Sequence, residues 1–148
     1  MTCSGNSAEF CGGSDRLNLF NNTGYIYPGN PQAVNSYVYL GCYHEGTNGR
    51  LLSAASYTDD VGMTVESCTA FCMENMPNGV YAGVEYSQEC YCAATLPAGA
   101  VVEPDSDCNM LCRGNDKEYC GGSSLLNVYE YSTLAKRTRR KNKIRGSS

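Results

Sequence analysis

The sequence predicts a small, disulfide-rich α+β domain, and three observations lead to that prediction. Eight cysteines between Cys42 and Cys120 follow the spacing C-x25-C-x3-C-x17-C-x-C-x15-C-x3-C-x7-C and leave no thiol without a partner. One segment has the periodicity of a helix, and four others have the composition of strands. Leu, Ile and Val are too few for a large apolar core, so covalent cross-links are useful to a domain of this size.

The helix is predicted over residues 64–76. Thr64 can cap its first turn, Glu66 places an anion where the helix dipole favours one, and Pro77 with Gly79 ends it. One face is formed at three- and four-residue spacing by Val65, Cys68, Cys72 and Met76, widened by Ala70 and Phe71.

Strands are predicted over residues 37–43, 80–86, 89–93 and 125–131, with a hairpin turn at Ser87-Gln88. Cys68 and Cys72 point the same way from a helix, and Cys90 and Cys92 share one face of a strand. A helix laid across that strand can therefore make two parallel bridges. Zinc is a weak alternative for these cysteines, because the spacings lack the C-x2-C knuckles and added His ligands of zinc sites.

Cysteine usage predicts an extracellular or cell-surface location, since such frameworks persist in secreted proteins. The N-terminus has no apolar leader and no stretch of 18 apolar residues occurs, so we expect no membrane span within this chain and interpret it as a fragment of a longer, multi-domain secreted protein. Residues 1–135 hold all fifteen acids and four bases, whereas residues 136–148 hold seven bases and no acid. The acidic body argues against nucleic acid as a partner.

An internal repeat divides the chain. Residues 3–20 align without gaps on residues 112–129, with ten of eighteen positions identical. We therefore predict a remnant of a preceding domain at residues 1–20, a linker at 21–36, a full domain at 37–132 and a basic disordered tail at 133–148. The linker contains one N-glycosylation sequon, at Asn21. Lys136-Arg137 in the tail offers a dibasic processing site as an alternative, and a nuclear signal would contradict the cysteines.

Seven motifs carry a family resemblance: LGCY at residues 40–43, RLL at 50–52, MTVESCTAFC at 63–72, YAGVEYSQECYC at 81–92, DCNMLCRGN at 107–115, CGG at 120–122 and NVY at 127–129. Together they resemble the WSC domain over residues 37–131, and residues 1–20 resemble the end of another copy. Ser87 and Ala93 stand where family members usually have Gly.

The resemblance implies a PAN/apple-like fold with one helix packed on an antiparallel sheet. It also implies the pairings Cys42–Cys108, Cys68–Cys90, Cys72–Cys92 and Cys112–Cys120, and by repetition Cys3–Cys11. WSC domains are regarded as carbohydrate-binding modules of fungal wall sensors and wall-active enzymes, so the resemblance further implies a polysaccharide partner.

Catalysis is not expected, and neither a cofactor nor a metal is predicted. The one histidine, His44, has no free thiol to pair with once the framework uses the cysteines, and we interpret it as a surface residue at a strand end. The acid pairs Asp59-Asp60 and Asp105-x-Asp107 lie in loops rich in Gly, Ser and Pro. They are interpreted as solvated turn residues, with weak Ca²⁺ binding and glycosidase chemistry as the alternatives.

Sugar binding needs flat aromatic faces and polar partners for hydroxyl groups, and twelve Tyr in a chain without Trp supply such faces. Four tyrosines in strand or cysteine-adjacent contexts are expected in the core: Tyr39, Tyr81, Tyr91 and Tyr129. The candidates for an exposed binding platform are Tyr43, Tyr57 and Tyr86, with polar partners Asn48, Asp59, Asp60 and Gln88, although a structural role is open for each Tyr singly.

The sequence therefore predicts a non-catalytic, extracellular module that binds a wall β-glucan or a related structural polysaccharide. Two alternatives stay open: a piece of the ectodomain of a cell-wall stress sensor, and a structural or protein-binding repeat.

Overall fold

The computed structural model describes residues 1–21, 24–77 and 79–132. The elements follow in chain order: β1 (Ala33–Val34), β2 (Tyr37–His44), β3 (Ala55–Thr58), α1 (Val65–Asn75), β4 (Tyr81–Glu85), β5 (Glu89–Ala93), β6 (Val102–Glu103), β7 (Leu111–Cys112), β8 (Asn115–Tyr119) and β9 (Leu125–Tyr131). The result is a small α+β domain with one helix, a mostly antiparallel sheet and five disulfide bridges.

The main sheet has the strand order β1-β2-β9-β4-β5-β3, with β6 pairing beside β2. The last strand of the domain, β9, is central: it pairs antiparallel with β2 on one side and with β4 on the other. Its side chains Leu126, Val128 and Tyr129 are buried because both faces of the sheet are covered at this strand. The order of the sheet thus depends on a segment that follows all the other sheet strands in the sequence.

Helix α1 covers one face of the sheet. Thr64 caps it in a capping box, in which the Ser67 amide donates to the Thr64 hydroxyl and the Thr64 amide donates to the Ser67 hydroxyl. Two bridges, Cys68–Cys90 and Cys72–Cys92, join the helix to β5. Tyr37, Met63, Val84 and Tyr129 pack around these bridges as the first core cluster.

The opposite face carries a second core cluster under two irregular segments. Leu51 and Leu52 from the first segment pack on Tyr43, Leu126 and Val128, and Leu96 and Ala100 from the second pack on the same cluster. Because these segments lack helix or strand periodicity, the sequence gives little sign that this face is covered. The coverage matters for function, since a groove opens between the same two segments.

The remaining bridges close the ends of the molecule. Cys42–Cys108 ties β2 to the segment before β7, Cys112–Cys120 closes the β7–β8 hairpin, and Cys3–Cys11 closes an equivalent loop near the N-terminus. All five pairings are those implied by the family resemblance and the internal repeat, and no described cysteine is free.

Most of the predicted elements are present. The strands expected over residues 89–93 and 125–131 have those bounds, and the helix begins and ends one residue inside the predicted range with Thr64 as its cap. The segment predicted as an irregular linker holds β1, which pairs with β2, and the Asn35 side chain donates to Glu66 and Thr69 of the helix. Its second half therefore packs on the domain. The predicted tail at 133–148 and two residues of the sequon lie outside the described residues.

Candidate functional site

A groove of about 360 Å³ opens on the sheet face opposite the helix, between residues 44–51 and 97–101. This volume is at the lower end of the ~300–1,000 Å³ typical of small-ligand pockets. Backbone hydrogen bonds hold its walls, from the His44 amide to the Val101 carbonyl (2.9 Å) and from the Glu45 amide to the Ser124 carbonyl (2.9 Å). Its lining mixes polar and small apolar side chains: His44, Glu45, Thr47, Asn48, Arg50, Leu51, Pro97, Ala100 and Val101.

Arg50 is the charged centre of the groove. Its Nη1 lies 3.0 Å from an oxygen of Glu45 and 3.3 Å from an oxygen of Glu85. Its guanidinium carbon lies 4.5 Å from the ring centroid of Tyr91, a stacked cation–π contact. Glu45 also accepts the Leu51 amide (2.8 Å), which fixes the turn that presents Arg50. About half of the Arg50 side chain is exposed to solvent, so part of its planar donor set faces the groove.

Glu85 lies buried beneath Arg50. Burial, followed by the nearby carboxylates of Glu45 and Glu89, raises the pKa of the Glu85 carboxyl to about 7, and Arg50 opposes part of this shift. Arg50 thus forms ion pairs with two acidic side chains, Glu45 at the groove wall and Glu85 beneath it.

The strand registers bring several predicted site residues to the same end of the sheet as the groove. His44 pairs with Leu125, the adjacent Leu126 pairs with Glu85, Glu85 pairs with Glu89, and Glu89 pairs with Thr58. The β4–β5 turn lies just beyond this row and carries Tyr86 and Gln88. Asp59 follows Thr58 at the same end, and its amide donates to the Gln88 carbonyl (2.9 Å).

Tyr86 is presented at this end by an unusual backbone. Tyr86 and Ser87 both have positive φ, at 50° and 68°, a conformation that hairpin turns usually fill with Asn and Gly. A bulky residue in this region is uncommon and directs attention to a functional role. Tyr86 is 47% exposed, whereas the buried Ser87 anchors the turn by donating its amide to the Cys120 carbonyl (2.9 Å).

The prediction that Tyr43 forms part of an exposed platform is wrong. Tyr43 is only 8% exposed and packs in the second core cluster with Leu52 and Leu126. Successive side chains of a strand face opposite sides of the sheet. Cys42 faces the helix side, so Tyr43 faces the other side, which the irregular segments cover. Tyr57 is half-buried on the helix side, where its ring packs on Phe71 with centroids 4.4 Å apart, and so it lies across the sheet from the groove.

The predicted polar partners have separate positions. Asn48 is exposed and lines the groove. Asp59 accepts the Gly62 and Val61 amides (2.8 and 3.1 Å), which lowers the pKa of its carboxyl and shapes the turn before α1. Asp60 is exposed and Gln88 is half-buried. Asn48 alone among these residues contributes to the groove lining.

The acid pairs and cysteines offer little metal chemistry in the described part of the chain. Asp105 accepts the hydroxyl of Tyr39 (2.9 Å), which gives it a structural partner. The sulfurs of Cys68, Cys72 and Cys90 lie within 4.8 Å of one another, but all three belong to disulfides and therefore offer no thiolate ligand.

Sequence reasoning missed Arg50 and Glu45 as groove residues. A signal was present, because Arg50 is one of four basic residues among fifteen acids in residues 1–135, and an isolated Arg in an acidic body indicates ion pairing. The buried position of Glu85 gave no such signal, because a Glu at a strand end usually faces solvent.

Comparison with known proteins assigns this sequence to a family. The sequence profile of the WSC domain matches residues 39–122, more than half of the chain. The chain belongs to the WSC domain family. The matched range includes both groove segments and the β4–β5 hairpin, so the groove is part of the family domain itself.

Two fungal relatives match well beyond that range, and an insect relative matches over little more than the range itself. A WSC domain-containing protein of Arthroderma benhamiae is 39% identical over 128 residues, covering 86% of this chain and 17% of that protein. A putative fungistatic metabolite of Chaetomium globosum is 37% identical over 139 residues, covering 88% of this chain and 61% of that protein. Xylosyltransferase oxt of Drosophila melanogaster is 38% identical over 93 residues, covering 63% of this chain and 10% of that protein.

Both fungal matches are longer than the stretch from Tyr37 to the last residue, so each takes in part of the segment that precedes the domain. The chain spans about a sixth of the Arthroderma protein.

Proposed function

We propose that the chain is a non-catalytic carbohydrate-binding module that holds a structural polysaccharide, such as a wall β-glucan, in the Arg50 groove. Membership of the WSC family supports a cell-wall or carbohydrate-binding role. The observation that carries the specific proposal is the stack of half-exposed Arg50 on Tyr91 at the centre of an open groove of about 360 Å³. An extracellular, wall-associated location follows from the same proposal and agrees with the five bridges.

The groove chemistry suits a neutral sugar polymer. A sugar hydroxyl both donates and accepts hydrogen bonds, and the groove offers donors on Arg50, an amide on Asn48 and a carboxylate on Glu45. Pro97, Ala100 and Val101 supply apolar surface for the CH faces of a pyranose ring. Tyr86, at the same end of the sheet, offers an exposed aromatic face on which a further ring of the polymer can stack.

A shallow site with few contacts supports weak binding, with Kd on the order of micromolar to millimolar. Because stacking and hydroxyl hydrogen bonds carry no net charge, this binding should persist in high salt. Binding that depended on ion pairs with charged groups of the polymer would instead be lost in high salt.

The test is a pull-down of the purified, oxidised chain on insoluble β-1,3-glucan, chitin, cellulose and xylan, at low salt and in 1 M NaCl. We expect retention on at least one polymer at both salt concentrations. Asn48→Ala and Tyr86→Ala should each weaken binding roughly three- to tenfold, the value of one lost stacking or hydrogen-bond contact.

Tyr27→Ala is the matched control, because Tyr27 is an exposed tyrosine on the segment before the domain and outside the groove. This variant should bind like the parent. If no polymer retains the chain, or if Asn48→Ala, Tyr86→Ala and Tyr27→Ala all bind equally well, a structural or protein-binding repeat becomes the better account.

We further propose that the arrangement of one helix on a central antiparallel sheet is PAN/apple-like. An experimental structure superposed on PAN/apple domains tests this: β9 should align with the central strand of those sheets, and a different strand order would reject the assignment.

A further inference from the structure

The first twenty residues reproduce the local structure that precedes and begins β9, at a constant offset of 109 positions. The Met1 amino group donates to the Gly12 carbonyl (2.8 Å), as the Met110 amide does to the Gly121 carbonyl (2.9 Å). Gly12 and Gly121 both have positive φ, at 63° and 71°. The similarity between the two copies therefore extends from sequence to individual hydrogen bonds.

The turn that follows is repeated in the same way. The Gly13 amide donates to the Arg16 carbonyl (3.0 Å), as the Gly122 amide does to the Leu125 carbonyl (2.8 Å). The disulfides that close the two loops have the same sequence separation of 8 and Cα–Cα distances of 4.9 and 4.8 Å. Both copies thus form the same disulfide-closed loop and turn into the following strand.

The two copies differ in what surrounds them. A Cβ atom at Gly121 would meet the Val84 carbonyl oxygen at 2.5 Å and the Glu85 Cα at 2.8 Å, because β4 lies directly against this glycine. The three atoms nearest to a Cβ at Gly12 all belong to Arg16 and Leu17, from its own turn. Gly12 therefore has the conformation of a tightly packed glycine without the strand that packs on it.

The apolar side chains after the turn show the same contrast. Leu126, Val128 and Tyr129 are at most 1% exposed. Their counterparts Leu17, Leu19 and Phe20 are 85%, 89% and 90% exposed. An apolar hollow of about 290 Å³ lies beside them. The alternation of β9 is present in residues 16–20, but these residues belong to no strand in the described chain.

We propose that residues 16–20 are an interaction surface that completes a second WSC domain, as the central strand between that domain's equivalents of β2 and β4. The partner must supply two strands that pair antiparallel with residues 16–20, and apolar side chains that cover both faces of this new central strand. The backbone of one of those strands must pack against Gly12, as β4 packs against Gly121. The WSC domain already present in this chain, here called the resident domain, cannot accept residues 16–20 in this way. Its β9 already occupies the position between β2 and β4.

An extended chain tests the proposal directly. A second copy of residues 24–109 is placed immediately before Met1, so that residues 1–20 follow it as residues 110–129 follow the resident copy. We expect the added copy to fold with residues 1–20, forming its own three bridges equivalent to Cys42–Cys108, Cys68–Cys90 and Cys72–Cys92. We expect amide hydrogen exchange at residues 16–20 to be fast in the unextended chain and at least a hundredfold slower in the extended chain.

The control is the same extended chain carrying Leu17→Ser and Phe20→Ser. The resident domain should keep its slow-exchanging amides, whereas the added copy should lose protection. If residues 16–20 of the unmutated extended chain still exchange fast, the surface does not complete a WSC domain and the proposal fails. The resident copy of residues 24–109 folds in the same molecule, so such a failure is assigned to residues 1–20. Concentration-dependent protection in the unextended chain would indicate a second copy as the occupant and would also overturn the proposal.

Discussion

The guanidinium carbon of Arg50 lies 4.5 Å from the ring centroid of Tyr91, and this contact joins the core of the domain to the groove. Tyr91 packs in the second core cluster, so its ring gives Arg50 a rigid base. Arg50 also forms ion pairs with Glu45 and with the buried Glu85. The residue that we propose to hold a sugar is therefore positioned by three contacts, and its removal affects stability as well as binding.

Arg50→Ala should destabilise the domain by about 1–3 kcal/mol at pH 8, because it leaves the buried Glu85 carboxylate without its cation. The loss should shrink at pH 5, where Glu85, with a pKa of about 7, is protonated. Urea unfolding at both pH values measures the effect. Adding Glu85→Gln to Arg50→Ala should recover most of the stability at pH 8; an equal loss at both pH values would contradict the electrostatic origin.

Because a second acid is buried, we expect the stability of the folded domain to fall as the pH rises. Glu118 is buried with Asn115 donating to it at 2.7 Å, and burial, followed by the neighbouring Glu66 carboxyl, raises its pKa to about 7. A raised pKa means that the folded state binds the proton more tightly than the unfolded state. Its contribution is therefore fully present below pH 4.5 and is lost as the pH rises through about 7.

Glu118→Gln should remove about 3 kcal/mol of this pH dependence, because the pKa rises from 4.5 to about 7 and each pKa unit corresponds to about 1.36 kcal/mol. Thermal unfolding between pH 4.5 and 8 measures it. Glu9→Gln is the matched control, since Glu9 has the equivalent position in the N-terminal repeat and is exposed. A parent protein whose stability does not change over this range would refute the prediction.

Opening the longest disulfide loop should cost more than opening a short one. Cys42–Cys108 has a sequence separation of 66 and Cys112–Cys120 one of 8. The loop-entropy estimate gives about 4 kcal/mol for the first and about 2.5 kcal/mol for the second. Paired Cys→Ala variants unfolded in urea check the order, and a larger loss from the short loop would show that native packing, not loop closure, controls the cost.

Gly121→Ala should destabilise the domain by about 2–4 kcal/mol, because positive φ and the adjacent β4 backbone both disfavour a Cβ. Gly12→Ala introduces the same strain in a segment that packs on no strand, and it should leave unfolding of the domain unchanged. Comparing the two midpoints in urea tests the difference in packing. Equal losses would mean that residues 1–20 pack on the resident domain.

Local patterns predicted the framework well. The helix was predicted to lie across one strand from the spacing of Cys68, Cys72, Cys90 and Cys92. This was possible because each spacing reflects the periodicity of the helix or strand that carries the two cysteines. The burial of Tyr43 was not predictable in this way, since it depends on segments without periodicity that fold over the second face. Arg50 and Glu85 lie 35 positions apart, and their ion pair depends on the same coverage. The groove is formed by irregular segments without periodicity, so its position could not be predicted from the sequence and was found only in the structure.

The most direct test of the central claim is a chemical-shift titration of the ¹⁵N-labelled chain with a soluble β-1,3-gluco-oligosaccharide. The account predicts saturable shifts in the amides of residues 44–51 and 97–101 and in the side-chain N–H of Arg50, with further shifts at Tyr86. The Tyr57 side of the sheet should stay unchanged. Shifts confined to the helix side, or no shifts with this ligand or with oligosaccharides of chitin, cellulose and xylan, would contradict a polysaccharide site in this groove.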